Sequence, residues 1–325
     1  MNSKLPNIVV SLTSYPPRIG TVGQVVLTLL AQTVKPWKIV LWLAREEFPD
    51  GEASLPTSLV ALTKGTVFEI DWCENYRSHK KLIPALRKYP DCAIVTVDDD
   101  LLYPPDMLER LVAAYRSSPT EIHSMWVRII TAKKGVVQTF LDWNPTWISS
   151  QGSAQPSFDN YILGGSGTLY PPGCLDNRVF DSTLMNDLCP NQDDFWFWAM
   201  AVLNGTKIHG VSCVGYEPKL LEITQDHALW RDNCINGGND ATVTRLFDRF
   251  PELKDRLSLS HPPLPKNARH FGGLIRSMRE GSRTFSTRLN IPLFQMKYNE
   301  DFSQITYYIL KVPVFRVHCD SKRHE

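Results

Sequence analysis

No charge sign dominates this sequence, no cysteine pair is spaced for a metal, and no apolar run is long. Lys+Arg is 35 against Asp+Glu 34, which excludes a uniformly basic nucleic-acid binder. The seven cysteines, at 73, 92, 174, 189, 213, 234 and 319, are odd in number, widely spread and free of C-x-x-C spacing. That usage predicts reduced thiols in a cytosolic protein and argues against a disulfide framework or a zinc site. No apolar run approaches the roughly 20 residues of a membrane span. Met1 to Pro6 has none of the apolar stretch of a signal peptide. The expected location is therefore cytoplasmic, and the sequon Asn204-Gly205-Thr206 is read as chance.

What is present is ordinary globular composition over 325 residues, 43% hydrophobic and 21% charged, which excludes wholesale disorder. The even charge hides an asymmetry. His261 to Glu325 carries 11 Lys/Arg against 5 Asp/Glu, so a basic extension, 261–325, follows a slightly acidic body, 1–260. Within the extension, Ile291 to Lys297 recurs 21 residues later as Val312 to His318, too short to be a solenoid unit.

The first hundred residues alternate strand and helix patterns. Asn7 to Leu12, Lys38 to Leu43, Thr66 to Ile70 and Cys92 to Val97 read as strands. Val22 to Leu30 and Lys80 to Lys88 read as helices. Such alternation predicts βαβ units and a mainly parallel sheet. Farther on, Met107 to Tyr115 and Gln192 to Leu203 read as helices, and Pro119 to Phe140 as strands with a turn at Lys134-Gly135. Residues 144–160 read as a loop and Lys207 to Tyr216 as a strand; regular patterning weakens after Pro262.

Asp98-Asp99-Asp100 follows a buried strand directly. In parallel α/β sheets ligands bind at those strand ends. Three adjacent carboxylates repel one another, and a hard divalent cation relieves that cost while bridging a diphosphate. Asp193-Asp194 opens a helix otherwise crowded with aromatics. The helix dipole favours acids there, and a carboxylate can also serve as a general base. Gly164-Gly165-Ser166-Gly167 lets backbone approach a ligand closely; the alternative is a plain hairpin turn.

The run Ile94 to Asp100 followed by Tyr103-Pro104-Pro105 resembles the DxD segment of nucleotide-sugar-dependent glycosyltransferases of the GT-A fold. Val10 to Arg18 resembles the first strand and nucleotide-binding turn of bacterial members that build capsule and lipopolysaccharide. Arg77 to Leu86 and Gln192 to Trp196 extend the match in the same order, over roughly 7–245. The resemblance implies an α/β, Rossmann-like, mainly parallel sheet with flanking helices. A donor-binding half would cover about 1–105 and an acceptor half about 106–260.

It also implies roles. Thr13, Tyr15 and Arg18 would surround the base and ribose, with Asp71, ending the third strand, nearby. Arg77, Lys80 and Lys81 would face the diphosphate, or else Lys80 and Lys81 form a solvated helix face. Asp98 would contact ribose or metal and Asp100 would ligate Mn²⁺ or Mg²⁺. Asp99 would point away, since side chains alternate along a strand. Gly165 and Ser166 would border donor sugar and acceptor, and His227 is a candidate third metal ligand. Asp194 is the favoured base, with Asp193 open because the register is uncertain by one. Trp42, Trp143, Trp147, Trp196, Trp198 and Trp230 are candidates for stacking on sugar rings. The loop Asn236 to Asp240 could close over donor or acceptor.

The expected reaction is metal-dependent transfer of a sugar from a nucleotide diphosphate, UDP favoured, to a hydroxyl of a glycan or lipid-linked acceptor, with inversion. A sugar nucleotidyltransferase needs a glycine-rich phosphate loop, and Thr13 to Arg18 has no glycine. A non-catalytic glycan-binding protein on the same fold is the other alternative. Six Lys/Arg between Lys266 and Arg288, with Glu280 the one acid, suggest peripheral contact with an anionic membrane. Packing of the tail on the body, or a homo-oligomer contact, is the competing expectation.

Overall fold

The computed structural model describes residues 6–148, 152–221 and 237–261, and the backbone of six later strands between 269 and 318. Its centre is an eight-stranded sheet. The first half follows the expected alternation: β1 (Ile8–Thr13), α1 (Val22–Leu30), β2 (Lys38–Ala44), α2 (Thr57–Ala61), β3 (Phe68–Cys73), α3 (Ile83–Lys88) and β4 (Ala93–Thr96). β1 pairs in parallel with β2 on one side and β4 on the other, and β3 continues beyond β2. The sheet then goes on from β4 through Thr168–Tyr170, Ile122–Ser124, Ile208–Gly210 and Ala154–Ser157.

The strands are apolar on both faces because both faces are covered. Val9, Val40, Trp42 and Ile94 join one core with α3 and the helix Asp193–Asn204. Val10, Leu12, Ile39, Leu41 and Val95 join the other with α1 and the helix Met107–Ser117. Phe195, Trp196, Phe197 and Trp198 are all fully buried, as expected for a helix that is apolar all round.

Two features of the topology place a site. Chain connections leave β1 toward β2 on one side while β4 lies on the other, so a crevice opens where the carboxyl ends of β1 and β4 meet. The strand Thr168–Tyr170 runs antiparallel to β4, with Thr168 opposite Thr96. The glycine turn before it therefore arrives at that same edge.

Several boundaries differ from expectation. β3 runs on to Cys73, so Asp71 lies inside the strand and does not end it. β4 stops at Thr96, and Asp99-Asp100 form a turn. The segment 80–88 is a 3₁₀ turn, Arg77–Lys81, followed by α3, because Pro84 fits only a first helical turn. Of the strand expected over Lys207 to Tyr216 only Ile208–Gly210 forms, and 144–160 includes the strand Ala154–Ser157. Gly238, Asn239 and Asp240 begin a helix, Gly238–Arg249, and Asp240 Oδ1 accepts the Phe140 N–H at 2.7 Å. The turn at Lys134-Gly135 is as expected; both residues have positive φ between paired strands.

The extension forms a six-stranded antiparallel meander, from Arg269–Phe271 to Val312–His318. The two repeated segments are the strands Pro292–Tyr298 and Val312–His318, and both pair with Gln304–Ile309 between them. Register sets Phe285, Phe294 and Ile309 in one cross-strand row and Met296, Tyr307 and Phe315 in another. Positions two apart along a strand share a face, so both rows fall on one face. Period-two alternation spread over short strands is a weak sequence signal.

Candidate active site

Five carboxylates from two distant segments gather at the β1/β4 crevice around two cations. Lys81 Nζ lies 2.9 Å from Asp98 Oδ1, 2.7 Å from Asp193 Oδ2 and 3.6 Å from Asp194 Oδ1. Arg18 Nη1 lies 2.9 Å from Asp99 Oδ1 and 3.0 Å from Asp100 Oδ2. If all five acids ionise, five negative charges meet two positive ones and the cluster is left three short. Lys80 adds nothing, because its buried ammonium is paired with Glu47.

The deficit appears as displaced acidities. Burial pushes the Asp194 carboxyl up, Asp193 and Asp98 push it further, and Lys81 and the Gly164 N–H pull against them; the result is about 7. Burial likewise raises Asp100 to about 6, aided by the charge of Asp98 and opposed by Arg18. Asp193 is also buried, yet Lys81 and His79 hold it below the ordinary carboxyl value. The helix dipole, worth about 0.3–1 kcal/mol, does not rescue Asp194 from burial and like charge. His79 is fully buried, edge-on to Phe197, and burial lowers it to about 4.

The glycine turn is shaped by these acids. Gly164 N–H donates to Asp194 Oδ1 at 3.1 Å, and a Cβ on Gly164 would come within 2.5 Å of that oxygen. A Cβ on Gly165 would fall 1.9 Å from Asp98 Oδ2. Tyr103, buried and given no role by the sequence, ties the pieces together. Its hydroxyl donates to Gly165 O at 2.6 Å and accepts the Asp98 N–H at 2.7 Å. Ser14 was equally silent; its hydroxyl donates to Asp99 at 2.6 Å. The nearest sequence signal for either is adjacency to Thr13 or to the acid triplet.

The other expected residues divide. Asp98 and Asp99 do point to different partners, but Asp99 stays within the cluster through Arg18. Arg18 meets the acid triplet, with Tyr15 against its guanidinium at 5.8 Å. Thr13 Oγ1 donates to Trp42 O at 2.8 Å. Asp71 is paired with Lys88 at 2.6 Å, and Arg77 donates to Pro190 O and Asn191 Oδ1. Lys80 and Lys81 are buried, which removes the solvated-face alternative. Ser166 is buried, bonded to Leu163 O and Trp126 N. Trp42, Trp143, Trp196 and Trp198 are core residues at 3% exposure or less, so they offer no face to a sugar. Trp147 is half-buried against Trp126, a residue the sequence did not single out. His227, Trp230 and Asn236 lie outside the described residues.

Among the described residues no group of three or more His, Cys, Asp or Glu side chains is placed to hold a metal ion. The strand end still suits a hard cation. Asp98 and Asp100 are oxygen donors, Asp98 is 41% exposed, and Asp100 is raised by burial and by the like charges of Asp98 and Asp99. Magnesium commonly takes one or two carboxylates and completes its shell from phosphate and water.

No family model and no curated protein matches the chain. Among solved structures it is similar to S. aureus TarS 1-349, at 16% identity and a TM-score of 0.43, over 65% of this chain and 59% of that one. The same protein in complex with UDP-GlcNAc gives 13%, 0.41, 68% and 62%. The mannosyltransferase PcManGT from Pyrobaculum calidifontis, in complex with GDP-Man and Mn²⁺, gives 15%, 0.39, 63% and 55%. The chain thus spans about three fifths of the length of these proteins, and likeness at this level fixes neither family nor function. Fold and site by themselves define a mainly parallel α/β protein with an acidic crevice at its topological switch point.

Proposed function

We propose that the protein transfers a sugar from a nucleotide diphosphate, UDP favoured, to a hydroxyl of a glycan acceptor. One observation carries this reading. The strand-end acids and the helix-start acids converge on one crevice, and Asp194 is poised near neutrality beside a backbone N–H. A sugar hydroxyl is a poor nucleophile, and a base works best with a pKa near the operating pH. Asp194, about one-fifth exposed, takes the acceptor proton. Asp193, deeper and held ionised by Lys81, supports it. A carboxylate so placed suits a single in-line displacement, hence inversion at the anomeric carbon.

Asp98 and Asp100 would hold Mn²⁺ or Mg²⁺. The cation, when bound, offsets the charge that develops on the departing diphosphate. Tyr103 and Gly165 keep Asp98 in place, and Arg18 keeps Asp100. Donor hydrolysis by the full chain with a panel of nucleotide sugars, with Mn²⁺ and with chelator, tests the reading. Turnover that needs Mn²⁺ is expected; no turnover of any donor refutes it. NMR of the product linkage tests inversion.

The extension is proposed as a peripheral membrane contact of a cytoplasmic enzyme. Its six strands contain Arg269, Arg276, Arg279, Arg283, Lys297 and Arg316 and no Asp or Glu. Near an anionic surface each gains roughly 1 kcal/mol, and one face carries the two apolar rows. Face-to-face pairing of two copies would instead oppose like charges. Sedimentation with phosphatidylglycerol vesicles should fall sharply in Phe294→Glu/Tyr307→Glu and little in Gln295→Glu/Thr306→Glu. Equal losses would remove the proposal.

A further inference from the structure

We propose that Lys81 is a positioning residue: its ammonium fixes the helix-start acids against the strand-end acid and does not itself bind the donor phosphates. The inference rests on the glycosyl-transfer reading above and replaces the sequence expectation of a diphosphate contact. A lysine ammonium has three N–H donors and no acceptor. Lys81 Nζ donates to Asp98 Oδ1 at 2.9 Å and is ion-paired with Asp193 at 2.7 Å and Asp194 at 3.6 Å, and the side chain is 5% exposed. At that exposure, with three carboxylates within 4 Å, Nζ presents almost no open surface to a phosphate oxygen.

Lys81 is also anchored at its other end. Ser11 Oγ donates to Lys81 O at 2.6 Å, and Trp42 Nε1 donates to that same Ser11 oxygen at 2.9 Å. The main chain of Lys81 is thereby joined to β1 and β2, deep in the sheet, while its ammonium reaches the acids. The three carboxylates come from the end of β4 and from the helix Asp193–Asn204, about a hundred residues on. One cation joins the donor side of the crevice to its acceptor side. Among the described residues no other lysine or arginine is ion-paired with Asp193 or Asp194, so the role has no understudy. Asp194 is then located by two contacts, Lys81 and the Gly164 N–H. Displacing a reacting group by about an ångström costs on the order of a hundredfold in rate.

The test compares full-length wild type, Lys81→Met and Lys81→Met/Asp193→Asn. It uses Mn²⁺, the nucleotide sugar that the wild type turns over, and UDP alone in calorimetric titration. Lys81→Met is expected to lower kcat about a hundredfold while donor KM and UDP affinity change less than about threefold. The double variant, which removes the uncompensated buried charge, is expected to recover Tm but not turnover. UDP affinity that falls in step with kcat would make Lys81 a phosphate ligand and overturn the proposal. Turnover in the double variant within about threefold of wild type would overturn it too, by reducing Lys81 to charge balance. A wild type inactive on every donor is a separate outcome that removes the glycosyl-transfer reading first.

Discussion

Asp99 and Asp193 each sit deeper than the acid that follows them. At the strand end, Asp99 is 6% exposed and receives bonds from Ser14 and Arg18, while Asp100 keeps one bond from Arg18 and rises to about 6. At the helix start, Asp193 is 8% exposed and ion-paired with Lys81 at 2.7 Å, while Asp194 stands farther from the ammonium and rises to about 7. In both clusters a buried, cation-paired acid holds the frame and its neighbour is left partly open and poorly compensated. The clusters differ in their cation. Arg18 spans two adjacent residues of one turn through a single guanidinium nitrogen, Nη1. Lys81, a point charge, spans residues from two separate elements. Adjacent acids thus acquire different duties from packing, and the helix-start cluster depends on tertiary contact more than the strand-end cluster does.

The comparison breaks first at its working acids. Asp194→Asn keeps the shape but removes the proposed base. A loss of kcat of about a thousandfold is expected, with UDP affinity preserved; a loss under tenfold would transfer the base role elsewhere. Asp100→Ala should abolish Mn²⁺-dependent activity at the strand end, read as rate against Mn²⁺ concentration. Retained activity and metal response would remove Asp100 from the ligand set.

A smaller effect separates the frames from the working acids. Gly165→Ala puts a methyl where Asp98 Oδ2 now lies; Lys81 restrains that carboxylate and Tyr103 holds the Asp98 backbone. A stability loss of about 1–3 kcal/mol is expected, with Mn²⁺ response weakened about tenfold and visible in denaturant melts and metal titration. Unchanged metal response would show that Asp98 moves freely.

The smallest effect is a pH limb. The base proposed at Asp194 must be ionised, and burial sets that carboxyl near 7, so kcat/KM should rise with pH through about 7 and flatten above it. The stability sign is the reverse. A carboxyl raised by folding favours the folded state when protonated, so its contribution to stability is lost as pH climbs from the ordinary carboxyl range through about 7. A rate profile flat from pH 5 to 8 would contradict the assignment.

Much of the frame was legible in the chain. Buried parallel strands read as continuous apolar runs, so β1, β2 and β4 were visible, as were Val22–Leu30 and the aromatic helix that begins at Asp193. The acid triplet and the acid pair were visible as chemistry without a partner. β3 was located only in part, because Glu69 and Asp71 interrupt the apolar run that marked its neighbours. The meander after residue 269 escaped because its alternation is split over short strands whose faces become evident only when register aligns them.

By itself the sequence determined an α/β body, a strand ending in carboxylates, a helix opening with two more, and a basic extension. Local periodicity and composition suffice for these, since each depends on residues within a turn or a strand of one another. Only the tertiary structure decided which acids meet, that Lys81 turns from solvent toward three of them, and that Arg18 caps the triplet. It also decided that Gly164 and Gly165 are bare because carboxylate oxygens fill the space of a Cβ. Those facts depend on the order of strands across the sheet and on burial, which sets how strongly like charges repel. Neither is encoded in any one segment.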